Sequence, residues 1–551
     1  MVQLGQLVLS LLPLAFWAEQ QLPITDPHDI PHPHSGFTRP ADATTTKSIA
    51  IVGAGSGGLA ALKSILDLPP ETRAGWEVVL YEQRRDVGGV WLPDPPGPLP
   101  TPPDLPESPL YPRLHTNTPH PAMTYRNFTF PPGTPLLPRW DAVQQYYTDY
   151  AVHYGLNEYI HLNHTVISTQ WHGDDKEGDW HVEVHARGGN DGRKVVLKRT
   201  FDHLIVATGN DHYPKIPTWN GTATWLAGTR PGRPARQIEH SIYYRDPEVY
   251  ADKTVVIVGG GPSARDIAIQ IGPIAKVIYQ SLQSDSVPIP GRTIIPKPLI
   301  SHFTRDAVVF QDGSVLRDVD AVLLGTGYEL RMPFLCSPHA SVMDTDPYTR
   351  ANSSTARKLT SNLRYVFPLH RHIFSIAPDV PTTALAFIGL PVFIANAPSD
   401  TAQGIFVAHV IANASLLPPR DAMMQELLEH EATVRANGPD LYRVGYRLIG
   451  DNTEEQDYQD QLIEDLKKQG ALPNDGKKFA EDWRRMARLN WIRLAQAWWR
   501  VEELGEEARW LEGMETESEW ADMMHRLADW QRDWEKEHGR VDITGAFNAE
   551  Y

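Results

Sequence analysis

Two glycine-rich turns, separated by roughly two hundred residues, constrain the fold of this chain more than any other feature. The first, "GAGSGG" at 53–58, follows the apolar run "SIAIV" and precedes the helix-like segment "LAALKSIL". The second, "GGGPSA" at 259–264, follows "TVVIV" and precedes "RDIAIQI". A buried strand, a tight glycine turn and the start of a helix together form a dinucleotide-binding unit. The sequence therefore predicts two such units in one chain.

The first turn has the GxGxxG spacing at Gly53, Gly55 and Gly58. The first glycine permits the tight turn, the second lets a pyrophosphate approach the backbone, and the third allows the helix to pack on the strand. Free N–H groups at the helix N-terminus favour a phosphate there. Glu82 ends the next apolar run, where an acid hydrogen-bonds a ribose 2′-hydroxyl and repels a 2′-phosphate. This site is therefore predicted to bind FAD or NAD.

The second turn has the related spacing GxGxxA, with Gly259 and Gly261 followed by Ala264 in the packing position. Ser263 lies within the same turn. Two dinucleotide sites in one chain predict a fixed redox carrier and a hydride donor that are held face to face. The alternative is a vestigial duplicate of the first turn that binds nothing.

The composition excludes several classes of function. A chain of 551 residues exceeds one ordinary core, so two or three domains are expected. The formal net charge of −17 argues against a nucleic-acid partner, because phosphate binding needs a basic face. Cys336 is the one cysteine of the sequence, which excludes an internal disulfide, a CxxC redox pair and a thiolate metal cluster.

The first eighteen residues contain an apolar run that is short for a membrane span but fits a signal peptide or signal anchor. No Lys or Arg precedes this run, and an N-terminal helix packed on the body is the alternative. No other segment is long and apolar enough to span a bilayer. We expect a secretory or extracellular protein, with the cytoplasm as the alternative. Five glycosylation sequons favour secretion, at Asn127, Asn163, Asn220, Asn352 and Asn413.

Two further segments have unusual compositions. Residues 19–46 are rich in Pro and His, and we interpret His28, His32 and His34 as part of a solvated linker rather than as a metal site. The region from 454 to 538 is charged and helical in pattern. We interpret its tryptophans as packing residues, with a substrate platform or partner surface as the alternative. Half of the sixteen tryptophans fall there, namely Trp483, Trp491, Trp498, Trp499, Trp510, Trp520, Trp530 and Trp534.

An ordered set of motifs from about Lys47 to Pro418 resembles the flavin-containing monooxygenases, with the Baeyer–Villiger monooxygenases as close relatives. After the first turn comes "EQRRDVGGVW", followed by "LYPRLHTNTPHPAMTYRNFTFP" and "HLIVATGNDHYPKIP". The stretch "EHSIYYRDPEVYADKTVVIVGGGPSARDIAI" leads through the second turn, and "LLGTGYEL" and "ALAFIGLPVFIANAPSDTAQG" complete the set. Each motif alone is modest, but their order is specific.

The resemblance implies an α/β fold with two Rossmann-like dinucleotide-binding domains, for FAD and NAD(P)H, the second inserted in the first, plus a C-terminal helical extension. The implied segments are 1–18 (signal peptide or signal anchor), 19–46 (linker), 47–215 (first part of the FAD-binding domain), 216–328 (NAD(P)H-binding domain), 329–440 (return segment of the FAD-binding domain) and 441–551 (Trp-rich helical extension).

The family's activity implies FAD in the first site and NADPH in the second. Reduced flavin reacts with O2 to give a C4a-(hydro)peroxide, which delivers one oxygen to a small-molecule substrate. The resemblance leaves two reactions as alternatives: oxidation of a nitrogen or sulfur atom, and Baeyer–Villiger insertion of oxygen beside a ketone. An oxidase or dehydrogenase that releases H2O2 and a silent flavin-binding scaffold are further alternatives. Tailoring of an aromatic natural product is one hypothesis for the substrate class; the oligomeric state is not predicted.

The resemblance also assigns site residues. Asn117 matches the family's active-site asparagine, with a simple turn residue as the alternative. For FAD the residues are Gly53, Gly55, Gly58, Glu82, Gly89, Trp91, Leu114, Val166, Thr208, Gly209 and Gln403. For NAD(P)H they are Ser241, Gly259, Gly261 and Ser263, and no metal site is predicted.

Two departures from the family pattern bear on the cofactor and on the reaction. The family usually places an arginine after the second strand of the nicotinamide domain to pair with the 2′-phosphate, but this chain has "KVIYQSLQSDS" there. Arg292 is a later substitute, and NADH is the alternative donor. The Baeyer–Villiger fingerprint is only partly met, so we interpret His240 as a domain-linker residue rather than a proton donor.

Overall fold

The structure, a computed structural model, is built on two sheets whose central strands run parallel. It describes residues 37–38, 45–187, 194–282, 294–336, 342–346, 358–438, 440–446 and 453–539. The signal segment 1–18, the clustered histidines of the linker, Asn352 and Arg292 lie outside the described residues, so what the sequence indicates for them stays a prediction.

The first part of the chain alternates strands and helices and then forms an antiparallel meander. Its elements are β1 (Lys47–Val52), α1 (Ser56–Leu66), β2 (Trp76–Tyr81), α2 (Trp140–His153), β3 (Ile160–His161), β4 (His164–Gly173), β5 (Gly178–Arg187), β6 (Lys194–Phe201), β7 (His203–Val206) and β8 (Tyr213–Pro214). The meander consists of β4, β5 and β6.

The middle part forms a second strand–helix unit. Its elements are α3 (Thr222–Leu226), β9 (Gln237–His240), β10 (Thr254–Val258), α4 (Pro262–Ile271), β11 (Val277–Ser281), β12 (Ile294–Lys297), β13 (Ile300–Phe303), β14 (Val308–Phe310), β15 (Val315–Leu316), β16 (Ala321–Leu324) and β17 (Tyr328–Glu329).

The last part returns to short strands and then becomes helical. Its elements are β18 (Met343–Thr345), β19 (Leu359–Ser361), β20 (Val366–Phe367), β21 (Leu369–His370), β22 (Phe374–Ser375), β23 (Leu385–Phe387), α5 (Asn396–Ala412), α6 (Arg420–Asn437), α7 (Leu441–Val444), α8 (Glu454–Lys468), α9 (Asp482–Leu489), α10 (Trp491–Leu504), α11 (Glu507–Leu511) and α12 (Glu517–His538).

The first sheet has seven strands in the order β21-β22-β23-β7-β1-β2-β3. β1 is buried at every position after Lys47. Helices and loops cover both faces of such a parallel strand, which explains why its sequence is an almost continuous apolar run. It pairs in parallel with β2 and β7, and β23 pairs in parallel with β7. Since β23 follows the second sheet in the chain, the second domain is inserted in the first, as predicted.

The second sheet has five strands, all parallel, in the order β12-β11-β10-β16-β9. Val255 and Ile257 of β10 belong to one apolar cluster, whereas Val256 and Val258 belong to another, because successive side chains point to opposite faces. The two connections between the domains run side by side, where β8 pairs with β17. The predicted fold class, with two dinucleotide domains and a helical extension, is confirmed.

The C-terminal extension, α8 to α12, packs on the first domain. Leu462 and Leu466 of α8 join the core cluster of that domain. Trp498 and Trp520 are buried in a second cluster, together with Leu136 and Leu137 of the loop before α2. The interpretation of the tryptophans as packing residues is confirmed for these two side chains. Among the described residues, no helix combines the length and the apolar character needed to cross a bilayer.

Candidate active site

The first glycine turn connects the end of β1 to the start of α1 and leaves no room for side chains. Gly53 has a φ of +101°, and a Cβ there would lie 2.6 Å from the carbonyl oxygen of Ala207. A Cβ at Gly58 would lie 1.8 Å from the carbonyl oxygen of Gly53. Gly55 precedes the first residue of α1, and its ideal Cβ position is 3.5 Å from Cα of Gly89. The turn therefore presents bare backbone at a helix N-terminus, which fits a pyrophosphate.

Glu82 follows β2 and is buried beside this turn. Its Oε2 accepts a hydrogen bond from the backbone N–H of Ala54 at 2.7 Å, and Oε1 accepts one from the N–H of Arg84 at 2.8 Å. Burial raises the pKa of Glu82, and these donors oppose the shift. Each carboxylate oxygen keeps acceptor capacity, so the side chain fits the ribose role that the sequence predicts.

The other predicted FAD residues follow the carboxyl ends of neighbouring strands, where ligands bind in such sheets. Thr208 and Gly209 follow β7, and Gly209 has a φ of +67°. Gln403 of α5 is buried, and its Oε1 accepts a hydrogen bond from the N–H of Gly389, just after β23.

The four remaining residues that the sequence predicts for FAD are Gly89, Trp91, Val166 and Leu114. Gly89 and Trp91 form a short 3₁₀ turn against the first glycine turn. Val166 lies on β4, two residues after His164, whose N–H donates to the carbonyl of Glu82. Leu114 instead packs against the apolar core of the second domain.

The second glycine turn, like the first, leaves no room for side chains. Gly259 has a φ of +108°, and a Cβ there would lie 2.4 Å from the carbonyl oxygen of Gly325, after β16. Gly261 precedes α4, and Ser263 lies in its first turn. Ser241 follows β9 and is buried. The arrangement repeats the first turn and fits the phosphates of a second dinucleotide.

β11, the second strand of this domain, and Leu282 directly after it carry no positive charge. Gln280 donates to the carbonyl of Gly259 at 3.1 Å, and Ser281 donates to the carbonyl of Pro298 at 2.9 Å. These two side chains therefore stabilise the domain internally. Arg292, the substitute considered for the 2′-phosphate, lies outside the described residues.

His240 ends β9 of the second domain. Its Nδ1 accepts a hydrogen bond from the N–H of Ile242 at 3.1 Å, so Nε2 carries the proton and donates to the carbonyl of Gly327 at 3.0 Å. Burial lowers the pKa of His240 to about 4. Both ring nitrogens are engaged with the backbone of the same domain, which argues against a proton donor; the role as a domain linker stays a prediction.

Asn117 lies exposed in the long loop between β2 and α2. The hydroxyl of Thr118 donates to its Oδ1 at 3.3 Å. Thr118 also lines a cleft between the first domain and the C-terminal extension, which we call the extension cleft. The residues that line it are Thr118, Ala122, Ala395, Pro398, Glu455, Gln456, Gln459, Arg484 and Arg488.

Sequence reasoning missed the contribution of α8 and α9 to this cleft. Glu455, Gln456 and Arg488 stand in a charged helical region without a catalytic motif. The one available signal was the polar character of helix positions that should face a core. Only the packing of α8 against α5 brings these side chains beside Thr118.

Comparison with known proteins decides the family. Residues 46–289 and 285–445 match the family model described as flavin-binding monooxygenase-like. The chain belongs to this family. It is 27% identical over 416 residues to flavin-containing monooxygenase FMO GS-OX-like 4 of Arabidopsis thaliana, which covers 71% of this chain and 81% of the relative. It is 27% identical over 457 residues to FMO GS-OX5 of the same plant, covering 79% and 87%.

Solved structures share the fold. The S-allyl-L-cysteine S-oxygenase from Allium sativum superposes with a TM-score of 0.62 at 23% identity, covering 88% of this chain and 99% of that one. Tmm from a Pelagibacter species superposes with a TM-score of 0.61 at 20% identity, covering 82% and 90%. The resemblance inferred from the ordered motifs is confirmed. This flavin-binding monooxygenase-like chain is a flavin-dependent monooxygenase that uses FAD and NADPH.

Proposed function

We propose that this monooxygenase transfers one oxygen atom of O2 to a sulfur or nitrogen atom of a small organic substrate, at a site beside Asn117. One observation carries the location. The loop that holds Asn117 contacts both dinucleotide helices: the Tyr111 hydroxyl donates to Asp266 in the middle of α4, and the Tyr125 hydroxyl donates to the carbonyl of Ser56 at the start of α1 at 2.8 Å. These two contacts support a location of Asn117 near both cofactor turns.

The stoichiometry balances with the two cofactors of the family. For a thioether, the sulfide, O2, NADPH and one proton give the sulfoxide, NADP⁺ and water. FAD, when bound, supplies the electron transfer from NADPH to O2. The chain contributes the neutral amide of Asn117, which donates and accepts hydrogen bonds without releasing a proton.

Sulfur is the atom to test first, because the protein from Allium sativum that shares the fold is named as an S-oxygenase. No aromatic side chain lines the extension cleft as the structure describes it. We therefore do not extend the proposal to an aromatic natural product. The partly met Baeyer–Villiger pattern adds no support for ketone oxidation, since His240 is engaged with the backbone.

The test supplies the yellow holoenzyme with NADPH, ¹⁸O2 and a small thioether such as ethyl propyl sulfide. We expect one ¹⁸O atom in the sulfoxide by mass spectrometry. Unlabelled sulfoxide would contradict oxygen transfer from O2, and H2O2 formed in equal amount to the NADPH consumed would establish an oxidase instead. Asn117→Ala is expected to divert most of the NADPH consumption to H2O2, whereas Asn220→Ala, an exposed asparagine of the second domain, is the matched control.

We also propose that the protein enters the secretory pathway. The exposure of the sequon asparagines Asn127, Asn220 and Asn413 supports this proposal, because a glycosylated side chain must be accessible. Expression of the full chain in a eukaryotic host should give a band that shifts on endoglycosidase treatment. An unshifted, cytoplasmic protein would contradict it.

A further inference from the structure

The loop that carries Asn117 is hydrogen-bonded to the rest of the chain on both sides of that residue. The N–H of Thr116 donates to the carbonyl of Pro138 at 2.9 Å. The N–H of His120 donates to the carbonyl of Leu136, also at 2.9 Å. Asn117 itself is exposed. Its position therefore depends on the contacts that fix the loop around it and not on burial of its own side chain.

One arginine of the C-terminal extension binds this loop. Arg484 of α9 is 5% exposed, its Nη1 donates to the carbonyl of Pro121 at 3.0 Å, and its Nη2 donates to the hydroxyl of Thr124 at 3.1 Å. That hydroxyl donates in turn to the carbonyl of Pro121 at 2.9 Å, so the three groups are linked in a closed ring of hydrogen bonds. The family match ends at residue 445, so this anchor comes from outside the matched part of the chain.

Two carboxylates balance the charge of this guanidinium. Glu481, just before α9, accepts from its Nε at 3.0 Å, and Glu517, at the start of α12, accepts from its Nη2 at 3.4 Å. Their side chains are 29% and 34% exposed. Because both carboxylates reach solvent, replacement of Arg484 does not leave a buried charge without a partner. Such a variant therefore tests the contacts to the loop.

An aromatic contact supports the same interface between loop and extension. The buried ring of His120 lies edge-on to Trp520 of α12, with the ring centroids 4.5 Å apart. His120 and Pro121 come three and four residues after Asn117. Three residues of chain span at most about 10 Å, so a displacement at these two residues is passed on to Asn117.

We propose that Arg484 is a positioning residue for oxygen transfer, because it fixes the loop that carries Asn117 to the extension. Displacements of about 1 Å are costly for groups that must meet in one geometry. With the loop released, NADPH, O2 and one proton give NADP⁺ and H2O2, and the substrate stays unoxidised. The inference rests on the proposed function and adds the part of the chain that keeps Asn117 in place.

The test measures the ratio of H2O2 to sulfoxide that the holoenzyme forms from NADPH, O2 and ethyl propyl sulfide. We expect Arg484→Gln to raise this ratio by about tenfold or more. Anaerobic reduction of the flavin by NADPH should change by less than about twofold, because both glycine turns are untouched. A partly unfolded preparation would lower both products together and leave the ratio unchanged.

Thr124 provides the same test from the side of the loop. Thr124→Val removes the hydroxyl at nearly constant shape and should raise the ratio of H2O2 to sulfoxide, whereas Thr124→Ser keeps the hydroxyl and should retain the native ratio. The combination of Arg484→Gln with Thr124→Val should raise the ratio no further than Arg484→Gln alone, because the two residues act through one contact.

Arg485→Gln is the matched control on the same helix. Arg485 binds α8, where it donates to Asp457 at 2.6 Å and to Asp460 at 2.5 Å. The control removes the same charge and weakens the extension, and it should leave the product ratio within about twofold of the native value. Amide hydrogen exchange of residues 116–124 in the oxidised holoenzyme should be about tenfold faster in Arg484→Gln and unchanged in Arg485→Gln.

The outcomes separate the two proposals. A native product ratio in Arg484→Gln would overturn the positioning role while the proposed function stands, and equal increases in Arg484→Gln and Arg485→Gln would overturn it as well. If the native holoenzyme forms H2O2 and no sulfoxide, the proposed function fails, and hydrogen exchange of the loop still decides whether Arg484 fixes it. Should Arg484→Gln not fold, the comparison of Thr124→Val with Thr124→Ser decides.

Discussion

At the scale of single residues, a Cβ atom added at one glycine would be enough to prevent either cofactor turn from forming. A Cβ added at Gly58 would lie 1.8 Å from a backbone oxygen, and one added at Gly259 would lie 2.4 Å from another. Both distances are shorter than any real Cβ contact. Gly259 adds a φ of +108°, which L side chains rarely adopt. Neither contact can be relieved by moving a flexible side chain, because both oxygens belong to the main chain.

Gly58→Ala and Gly259→Ala should therefore separate the two cofactors. We expect Gly58→Ala to purify colourless, because the displaced turn no longer accepts the FAD pyrophosphate. Gly259→Ala should keep its yellow colour and lose reduction by NADPH by about a hundredfold or more. Absorbance near 450 nm and anaerobic stopped-flow reduction measure the two effects. Loss of flavin from both variants, or from neither, would contradict the assignment of the turns.

A buried carboxyl group gives a second residue-scale prediction. Asp400 of α5 is 2% exposed, and Gln403 donates to its Oδ1 at 3.4 Å. Burial raises the pKa of Asp400 from 3.8 to about 7, and the charge of Glu455 adds to the shift. The folded protein therefore holds a proton that the unfolded chain has released, and this contribution to stability is lost as the pH rises from about 4 through 7.

Asp400→Asn removes that pH dependence. We expect the variant to gain stability over the native protein as the pH is raised from 5 to 8, by on the order of 1–3 kcal/mol. Thermal or denaturant unfolding at both pH values measures the gap. Asp318→Asn, at an aspartate whose side chain is 80% exposed, is the control and should show no such widening. A constant gap for Asp400→Asn would show that this carboxyl group is ionised in the folded state.

At the scale of elements, the extension is held by tryptophans at selected positions and not by tryptophan content as such. α9 ends at Leu489 and α10 begins at Trp491, so Trp483 lies on one helix and Trp491 and Trp498 lie on the next. Trp498 is fully buried against α12, whereas its neighbour Trp499 is 45% exposed. Helix geometry places adjacent residues on different faces, which explains the contrast.

Trp498→Ala and Trp499→Ala form a matched pair for this element. We expect Trp498→Ala to lower the free energy of unfolding by about 3–5 kcal/mol, because a large cavity opens between α10 and α12. Trp499→Ala should change it by less than about 1 kcal/mol. Denaturant titration followed by tryptophan fluorescence measures both. Equal effects would contradict the difference in burial between the two side chains.

At the scale of the whole molecule, the Pro-rich loop after β2 joins the two dinucleotide domains. Arg245 of the second domain pairs with Asp94 of this loop at 2.6 Å, and both side chains are largely buried. Arg245 also donates to the carbonyl of Ser108, and the Tyr243 hydroxyl donates to the carbonyl of Asp104. These contacts fix the distance between the two glycine turns, on which hydride transfer depends.

Arg245→Met should loosen this junction without emptying either turn. We expect FAD to stay bound and anaerobic reduction by NADPH to slow by about tenfold to a hundredfold, because small displacements are costly for transfer between two bound groups. Arg233→Met, which removes an exposed ion pair within the second domain, is the control and should leave the rate unchanged. An unchanged rate in Arg245→Met would show that the domain spacing is set elsewhere.

Local sequence was sufficient for the two turns, the parallel strands beside them and the family. Gly53 and Gly259 are required by their own positive φ, and Gly58 by its closeness to Gly53. β1 and β10 are buried on both faces, so their apolar runs are unambiguous. The insertion of one domain in the other also followed from the order of the motifs. These features depend on backbone conformation and apolar patterns that short stretches of sequence determine.

The extension cleft, by contrast, was decided by tertiary structure. Glu455 lies more than three hundred residues after Thr118, and only the docking of α8 on α5 brings them together. A helical pattern indicates which face is polar, but it does not indicate which polar residue will be enclosed by another element. Side-chain burial, and with it the raised pKa of buried carboxyl groups such as Asp400, is a property of that docking and not of any stretch of sequence.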